Sequence, residues 1–317
     1  MKTVSLLIPC YNEQEVLPLL RDRLLDVIAP LVEYDWEIIL VNDGSTDDTL
    51  RIMRELHTSD KRFNYVDLSR NFGKETAMLA GFDFVTGDAM IILDADLQDP
   101  PELIPEMLTL WEQGYDDVYA KRRTRTGEPW MKRWTSRVFY RTLQRLTKIP
   151  IQQDTGDFRL LDRRCINALR QMREHDRYTK GLFSWIGYNK IEILFDREPR
   201  AAGTTKWNYV SLLGLALSGI TSFTTAPLRF ASVTGMLVAL GAFIYTIFII
   251  VRALIFGNPV AGYPSTIAFI LFLGGLQLLS IGIVGEYVGT IFRETKRRPP
   301  YFIAETNGIR KTNDEPT

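Results

Sequence analysis

Short β-rich runs that end abruptly in charged residues, each followed by a helix-length segment, constrain this chain more than any other feature. The sharpest case is Ile91-Ile92-Leu93-Asp94-Ala95-Asp96-Leu97-Gln98-Asp99-Pro100-Pro101, an apolar run that breaks into three aspartates within six residues. Apolar residues followed at once by acids read as a buried strand that ends at a charged site. Asp94 and Asp96, alternate residues at a strand end, can aim their carboxylates at one point. Such oxygens are what a hard divalent cation prefers. Asp99 has a plainer reading as the cap of the next helix, with prolines in the first turn and Glu102 at the capping-box position.

The same grammar repeats along the first part of the chain. Strands are expected over Val4–Pro9, Trp36–Val41, Asn64–Leu68, Met90–Leu93 and Asp117–Ala120. Between them lie helices: one to about Ile28 opened by Asn12 with Glu15, one to about His57 opened by Ser45 with Asp48, one through Phe84, and one over Pro101–Trp111. Strands alternating with helices predict an α/β fold with a mostly parallel sheet covered on both faces. Ligands of such sheets bind beyond the carboxyl ends of the strands. Tyr11 and Glu13 follow the first strand, Asp43 the second, Arg70 and Lys74 the third, Asp94 and Asp96 the fourth, and Lys121 and Arg122 the fifth. Acids for a cation and for ribose donors, with bases for phosphate, suit a nucleotide and its metal. Singly, Glu13 reads equally as a first-turn acid and Asp43 as a turn former. No glycine-rich phosphate fingerprint follows the first strand, which argues against dinucleotide and P-loop chemistry.

The bulk numbers exclude a few classes. Lys plus Arg and Asp plus Glu are both 38, so net charge is zero and no global attraction to nucleic acid exists. Cys10 and Cys165 cannot form a disulfide framework and read as small core residues. The amino terminus reads straight into a strand, with no signal peptide.

Four segments in order, Pro9-Cys10-Tyr11-Asn12-Glu13, Asn42-Asp43-Gly44-Ser45-Thr46-Asp47, Arg70-Asn71-Phe72-Gly73-Lys74 and Asp94 to Pro101, resemble the family 2 glycosyltransferases with a GT-A fold. The resemblance narrows to the polyprenyl-phosphate glycosyltransferases through Gln153 to Leu160 and Arg200-Ala201-Ala202-Gly203-Thr204-Thr205-Lys206-Trp207. It implies that Pro9, Tyr11, Glu13 and Asp43 hold the nucleoside. It further implies that Asp94, Ala95 and Asp96 contact ribose and diphosphate, and that Asp94, Asp96 and Gln98 bind Mg2+ or Mn2+. Lys74 joins the donor site, and Arg200 and Lys206 close on the diphosphate. Asn42 departs from many relatives, which carry a second aspartate there. Asp157 reads either as an acid that orients the acceptor or takes a residual proton, or as an ion-pair partner of Arg159.

Lys121 to Lys148 contains ten Lys or Arg and a single acid, Glu128. Arg133, Arg137, Arg141 and Arg145 recur at helical spacing beside Trp130 and Trp134, a pattern for an anionic bilayer surface rather than for nucleic acid. By resemblance, Arg122, Lys132, Arg133, Ser136 and Arg137 receive the acceptor phosphate. Two uncharged apolar runs, about 230–251 and 265–285, are long enough to span a bilayer, with a breaker at Phe256-Gly257-Asn258-Pro259. Basic residues flank both outer ends, which places the ends on the cytosolic side of a multi-pass cell membrane protein. The expected organisation is therefore a cytosolic GT-A domain over 1–203, an amphipathic interfacial helix over 204–228, and a transmembrane hairpin over 229–292. A basic juxtamembrane segment and flexible tail, 293–317, complete the chain. Two spans alone offer little packing surface, and a homo-oligomer is an open expectation.

The favoured reading is an inverting transfer of a hexose, glucose foremost, from a nucleotide sugar such as UDP-glucose to a polyprenyl phosphate. The sequence leaves three rivals: a GDP-mannose-dependent mannose synthase, a processive polysaccharide synthase, and a non-enzymatic nucleotide-binding membrane scaffold. The processive reading is weakened because the chain has no Gln-x-x-Arg-Trp motif.

Overall fold

The computed structural model describes residues 1–123, 155–175, 177–196, 226–256 and 262–312. They form two units, one comprising residues 1–216 with 299–317 and the other residues 217–298.

The first unit is built on an eight-stranded sheet: β1 (Lys2–Cys10), β2 (Tyr34–Asn42), β3 (Phe63–Leu68), β4 (Ala89–Ile92), β5 (Asp117–Arg122), β6 (Thr155–Asp162), β7 (Lys190–Phe195) and β8 (Ile303–Thr306). Its order is β7-β5-β6-β4-β1-β2-β3-β8. All five expected strands are present, each within a few residues of its expected bounds. β1 pairs in parallel with β2 and β4, β2 with β3, and β5 with β7. The central strand is buried as a parallel strand must be, with Val4, Leu6, Leu7 and Ile8 all fully inaccessible.

Helices α1 (Leu17–Ile28), α2 (Thr49–Ser59), α3 (Lys74–Phe84), α4 (Ile104–Glu112), α5 (Arg163–Gln171) and α6 (Thr179–Trp185) accompany the sheet. α3 is buried without a break from Ala77 to Phe84, Asp83 included, so its position is fixed by packing rather than by one amphipathic stripe. A side chain at Gly81 would strike Leu7 of β1 within 2.1 Å, so the glycine permits that close approach.

Four of the seven strand pairings involve strands that the alternation pattern does not predict, and the two made by β6 decide where the site lies. β6 runs antiparallel between β4 and β5, with Ile92 opposite Arg159. Continuing that register beyond Ile92 sets Asp94 opposite Asp157. The antiparallel insertion thus brings the start of β6 to the edge at which β4 and β5 end.

The helix starts differ from the expected caps. Asn12 has a left-handed backbone (φ 55°), and its Oδ1 accepts the Thr46 amide at 2.8 Å, so it ties the first loop to the second. α1 instead begins at Leu17 without a side-chain cap. Ser45 Oγ donates to Asn42, while Asp47 Oδ1 accepts the amide and hydroxyl of Thr49 at the start of α2. Asp99 is not a cap either: a 3-10 turn, Pro101–Leu103, leads into α4, and the residue preceding that turn is Pro100. Asp99 is instead buried beside Gly156 of β6.

The tail expected to be flexible returns to the sheet. β8 pairs antiparallel with β3, Arg54 pairs with Glu305, and the Tyr65 hydroxyl donates to Glu305 at 2.6 Å. Tyr301 is buried and donates to Asp83 at 2.5 Å. The single charge Glu305 meets two donors, which a composition-based reading of a polar tail misses.

The second unit contains α7 (Ala226–Phe256) and α8 (Tyr263–Thr295), longer than the apolar runs that predicted them. Tyr245 of α7 stacks on Phe269 of α8 at 5.4 Å. Met236, Phe243, Phe248, Ile270, Phe272 and Leu278 are exposed, a surface that water disfavours. Among the described residues, one segment, Phe272–Thr295, is long and apolar enough to cross a membrane, and Ala231–Tyr245 is a shorter apolar stretch. Most of the expected interfacial helix, 204–225, lies outside the described residues.

Candidate active site

The carboxyl ends of β1, β2, β3 and β4, with the start of β6, assemble one polar edge. Its loops brace each other before any ligand is considered. Asp43, buried at the end of β2, accepts the amides of Phe72 at 2.7 Å and Gly73 at 2.9 Å. Burial pushes its carboxyl up, and those two backbone hydrogen bonds oppose the shift. Its visible task is therefore to fix the loop that leads to Lys74. Gly44 completes the brace: with φ 64° it lies so close to Arg70 and Asn71 that a Cβ would fall 2.3 Å from the Arg70 carbonyl carbon.

Asn42 now has a reason to differ from aspartate. Its Nδ2 donates to Asp67 Oδ1 at 2.7 Å while its Oδ1 accepts from Ser45. An aspartate would have no donor for Asp67.

Lys74, the first residue of α3, stands at the centre of the edge. Its ammonium is 2.6 Å from Asp94 Oδ1 and 2.5 Å from Asp157 Oδ2. Burial disfavours the lysine charge, but Asp157 and Asp94 outweigh it and hold its pKa above the ordinary value. For Asp157, burial likewise opposes ionisation, and the charges of Lys74 and then Lys180 hold the carboxyl well below the usual range. Asp157 is thus in an ion pair, but its partner is Lys74. Arg159 is fully buried and pairs with Asp117 at 3.0 Å.

Sequence reading passes over Glu75 and Lys180. Glu75 accepts the Thr179 amide at 3.0 Å; burial and then repulsion from Asp157 raise its pKa. Lys180 Nζ donates to the Thr155 carbonyl at 3.2 Å, which places its charge beside Asp157. Glu75 resembles an ordinary first-turn acid, and Lys180 has no motif around it, so only the antiparallel β6 reveals either.

Asp96 and Gln98 lie on the loop after β4, both partly exposed, with Ala95 buried between the two aspartates. Asp96 Oδ1 accepts the Gln98 amide at 3.2 Å, and Leu97 between them has φ 56°. A non-glycine residue in that region is held at some cost, a condition common where a loop must present a side chain. Pro9, Tyr11 and Glu13 are partly exposed at the end of β1, and the Glu13 amide donates to Thr49 at 2.9 Å. Lys121 and Arg122 end β5 on this same edge, and Lys121 is 2.8 Å from Glu192. Lys132, Arg133, Ser136, Arg137, Arg200 and Lys206 lie outside the described residues.

Among the described residues no group of three or more His, Cys, Asp or Glu converges as an all-protein metal cage. Mg2+ is commonly held by one or two carboxylates together with substrate phosphates. Asp94, Asp96 and Gln98 carry that donor chemistry, with Asp94 also paired to Lys74. The residues present therefore fit a divalent cation that arrives with a diphosphate.

Comparisons with known proteins show which family the chain belongs to. Residues 5–170 match glycosyl transferase family 2, and residues 226–291 match the GtrB C-terminal hairpin. The chain is 48% identical to an uncharacterised glycosyltransferase of Synechocystis sp., over 96% of each chain. It is 43% identical to a prophage bactoprenol glucosyl transferase homologue of Escherichia coli K12, over 95% of this chain and 98% of that one. It is 42% identical, over the same shares, to the bactoprenol glucosyl transferase of Shigella phage SfX. The chain belongs to glycosyl transferase family 2. It is a glycosyltransferase with an α/β catalytic unit and a C-terminal apolar hairpin.

Proposed function

We propose that this enzyme moves glucose from UDP-glucose to a polyprenyl phosphate of the undecaprenyl type at the cytosolic face of the cell membrane. The observation that carries the reading is a likeness, along nearly the whole chain and through the hairpin, to proteins named for glucosyl transfer to bactoprenol. The exposed apolar side chains of α7 and α8 suit two membrane spans, and the basic residues at their outer ends favour a cytosolic catalytic unit.

Within this reading Pro9, Tyr11 and Glu13 face the nucleoside, and Asp43 shapes the loop that closes over it. Asp96 and Gln98, with the donor diphosphate, would hold Mg2+ or Mn2+, whose chemistry there is Lewis-acid stabilisation of the leaving group. Arg200 and Lys206 would add positive charge to the same diphosphate. Arg122, Lys132, Arg133, Ser136 and Arg137 are assigned to the acceptor phosphate. A phosphate monoester has a second pKa of about 6, so the nucleophile is largely a dianion at neutral pH and needs no strong base. Asp157, held ionised by Lys74, suits a role in orienting groups rather than in taking a proton. Direct attack on the anomeric carbon expels the nucleoside diphosphate and inverts the centre.

The test is a donor panel with the full chain in native membranes and undecaprenyl phosphate as acceptor. The expected result is a lipid-linked glucose formed in step with UDP release. Transfer only of mannose from GDP-mannose overturns the sugar and nucleotide. Growth of a polysaccharide without a lipid-linked monosaccharide overturns the acceptor.

A further inference from the structure

A second charged site lies at the opposite end of α3 from Lys74, about 14 Å away at ~1.5 Å per residue. Here the returning segment folds over Asp83. A cleft of about 250 Å³ is lined by Asp83, Arg173, Pro299, Pro300, Tyr301 and Lys311, all within the sheet unit.

Its charge does not balance. Arg173 grips Asp83 with both terminal nitrogens, at 2.6 and 2.7 Å, and Tyr301 adds a third hydrogen bond. Asp83 is therefore neutralised without Lys311. The Lys311 ammonium sits 4.9 Å from the centre of the Tyr301 ring, and among the described residues no carboxylate lies within ion-pair distance of it. The cation–π contact holds the ammonium over the ring, while Pro299, Pro300 and that ring supply apolar surface beside it. A surplus cation fixed next to an apolar wall matches a phosphate group that carries a glycerol or acyl substituent.

The location points the same way. Pro299 is four residues beyond the end of α8, directly after Lys296-Arg297-Arg298. Basic residues at such a junction attract anionic lipid.

We infer that this cleft binds a phosphate-bearing ligand through Lys311 and the Pro299–Tyr301 wall. Two sources share the chemistry: the headgroup of an anionic phospholipid, or a soluble phosphate. The lipid source rests on the membrane reading above, whereas the anion site does not.

The full chain is purified in a zwitterionic detergent and titrated with dihexanoylphosphatidylglycerol, dihexanoylphosphatidylcholine and inorganic phosphate. Binding is followed for the wild type, Lys311→Ala, Lys311→Arg and, as a control on an exposed lysine elsewhere, Lys61→Ala. Loss of one near-surface cation corresponds to about fivefold in affinity. The expected result is that Lys311→Ala weakens phosphatidylglycerol binding about fivefold, that Lys311→Arg and Lys61→Ala do not, and that phosphatidylcholine is unaffected throughout. Lys311-dependent binding of inorganic phosphate with equal affinity assigns the site to a soluble phosphate. Binding of both anions without dependence on Lys311, or an equal loss in Lys61→Ala, overturns the site. Since the readout is affinity, a failure of the glycosyl-transfer reading leaves this result intact.

Discussion

Lys74 Nζ lies 2.5 Å from Asp157 Oδ2 and also grips Asp94, so one ammonium joins the end of β4 to the start of β6. Removing it strips two neighbouring carboxylates of the ammonium they share, with Lys180 left as a counter-charge to Asp157. Breaking a buried pair in this way costs about 3–5 kcal/mol. The Lys74 side chain is 39% exposed, and solvent screening lowers the figure to roughly 1–3 kcal/mol. Lys74→Met is expected to lower the melting temperature and to cut transfer by at least about 100-fold, the scale of one lost electrostatic contact in a reacting site. The pair's own stabilisation has a defined pH window. Asp157 is depressed, so its contribution is complete above about pH 4 and fades as pH falls through its folded value; Lys74 is raised, so its contribution is complete below about pH 10. Thermal unfolding of wild type and variant between those limits should differ by a constant amount, and the difference should shrink in stronger acid.

An ionised Asp157 also predicts the shape of the pH–rate profile. A carboxylate held far below neutral pH is a weak base, because effective proton acceptors titrate near the operating pH. The acid limb of kcat/KM is therefore expected at about pH 6, from the acceptor phosphate, not from Asp157. Asp157→Asn should lower the rate while that limb stays in place. Disappearance of the limb in this variant would make Asp157 the base.

Much of this edge was legible in sequence because acids placed directly after a buried strand are costly unless the strand ends at a polar site. Asp43, Asp94, Asp96 and Lys74 all lie where the alternation pattern put them. The partners of those residues were not legible. The Asp94–Lys74–Asp157 cluster depends on β6 entering antiparallel between β4 and β5, a choice made by long-range packing. Local capping rules failed for Asn12, Ser45 and Asp99 for a related reason. Asn12 and Ser45 lie beyond the ends of parallel strands, and their side chains accept amides across the two loops, Asn12 from Thr46 and Ser45 from Asn12, rather than capping their own helices. The tail after Ala304 reads as too polar to order, but Glu305 and Asn307 each meet specific partners across the sequence.

The brace between the second and third loops should be sensitive at two adjacent positions. Asp43→Ala strands two amides, Phe72 and Gly73, at about 1–3 kcal/mol for such a loss. Asp43→Asn keeps one acceptor and should cost less. Gly44→Ala forces a Cβ against backbone atoms of Arg70 and Asn71 from a φ of 64°, so the loop itself must shift. Both Ala variants are expected to raise KM for the nucleotide sugar more than for the lipid acceptor, measured by varying each substrate in turn.

Tyr301 anchors the returning segment through one hydroxyl on a buried, already paired carboxylate. Tyr301→Phe removes that hydrogen bond while leaving the Arg173–Asp83 pair, and should destabilise the catalytic unit by about 1–2 kcal/mol. Hydrogen exchange at β8 should accelerate in the variant, since its pairing with β3 is the neighbouring contact.

Asp96 separates the metal reading from the ion-pair reading of the same edge. Asp94 is matched by Lys74, so its replacement perturbs structure and chemistry together. Asp96 accepts the Gln98 amide, a contact within its own loop, and its side chain is only partly buried. Asp96→Ala is expected to leave the fold intact, with a melting temperature within a few degrees of wild type. Transfer should nonetheless fall by about 100- to 1,000-fold or more if this carboxylate holds the cation that stabilises the leaving diphosphate. Titration of Mn2+ in the presence of UDP, followed by electron paramagnetic resonance, gives an independent reading: wild type should bind the ion with the nucleotide and the variant should not. Full transfer by the variant with metal chelated would remove the cation from the reaction.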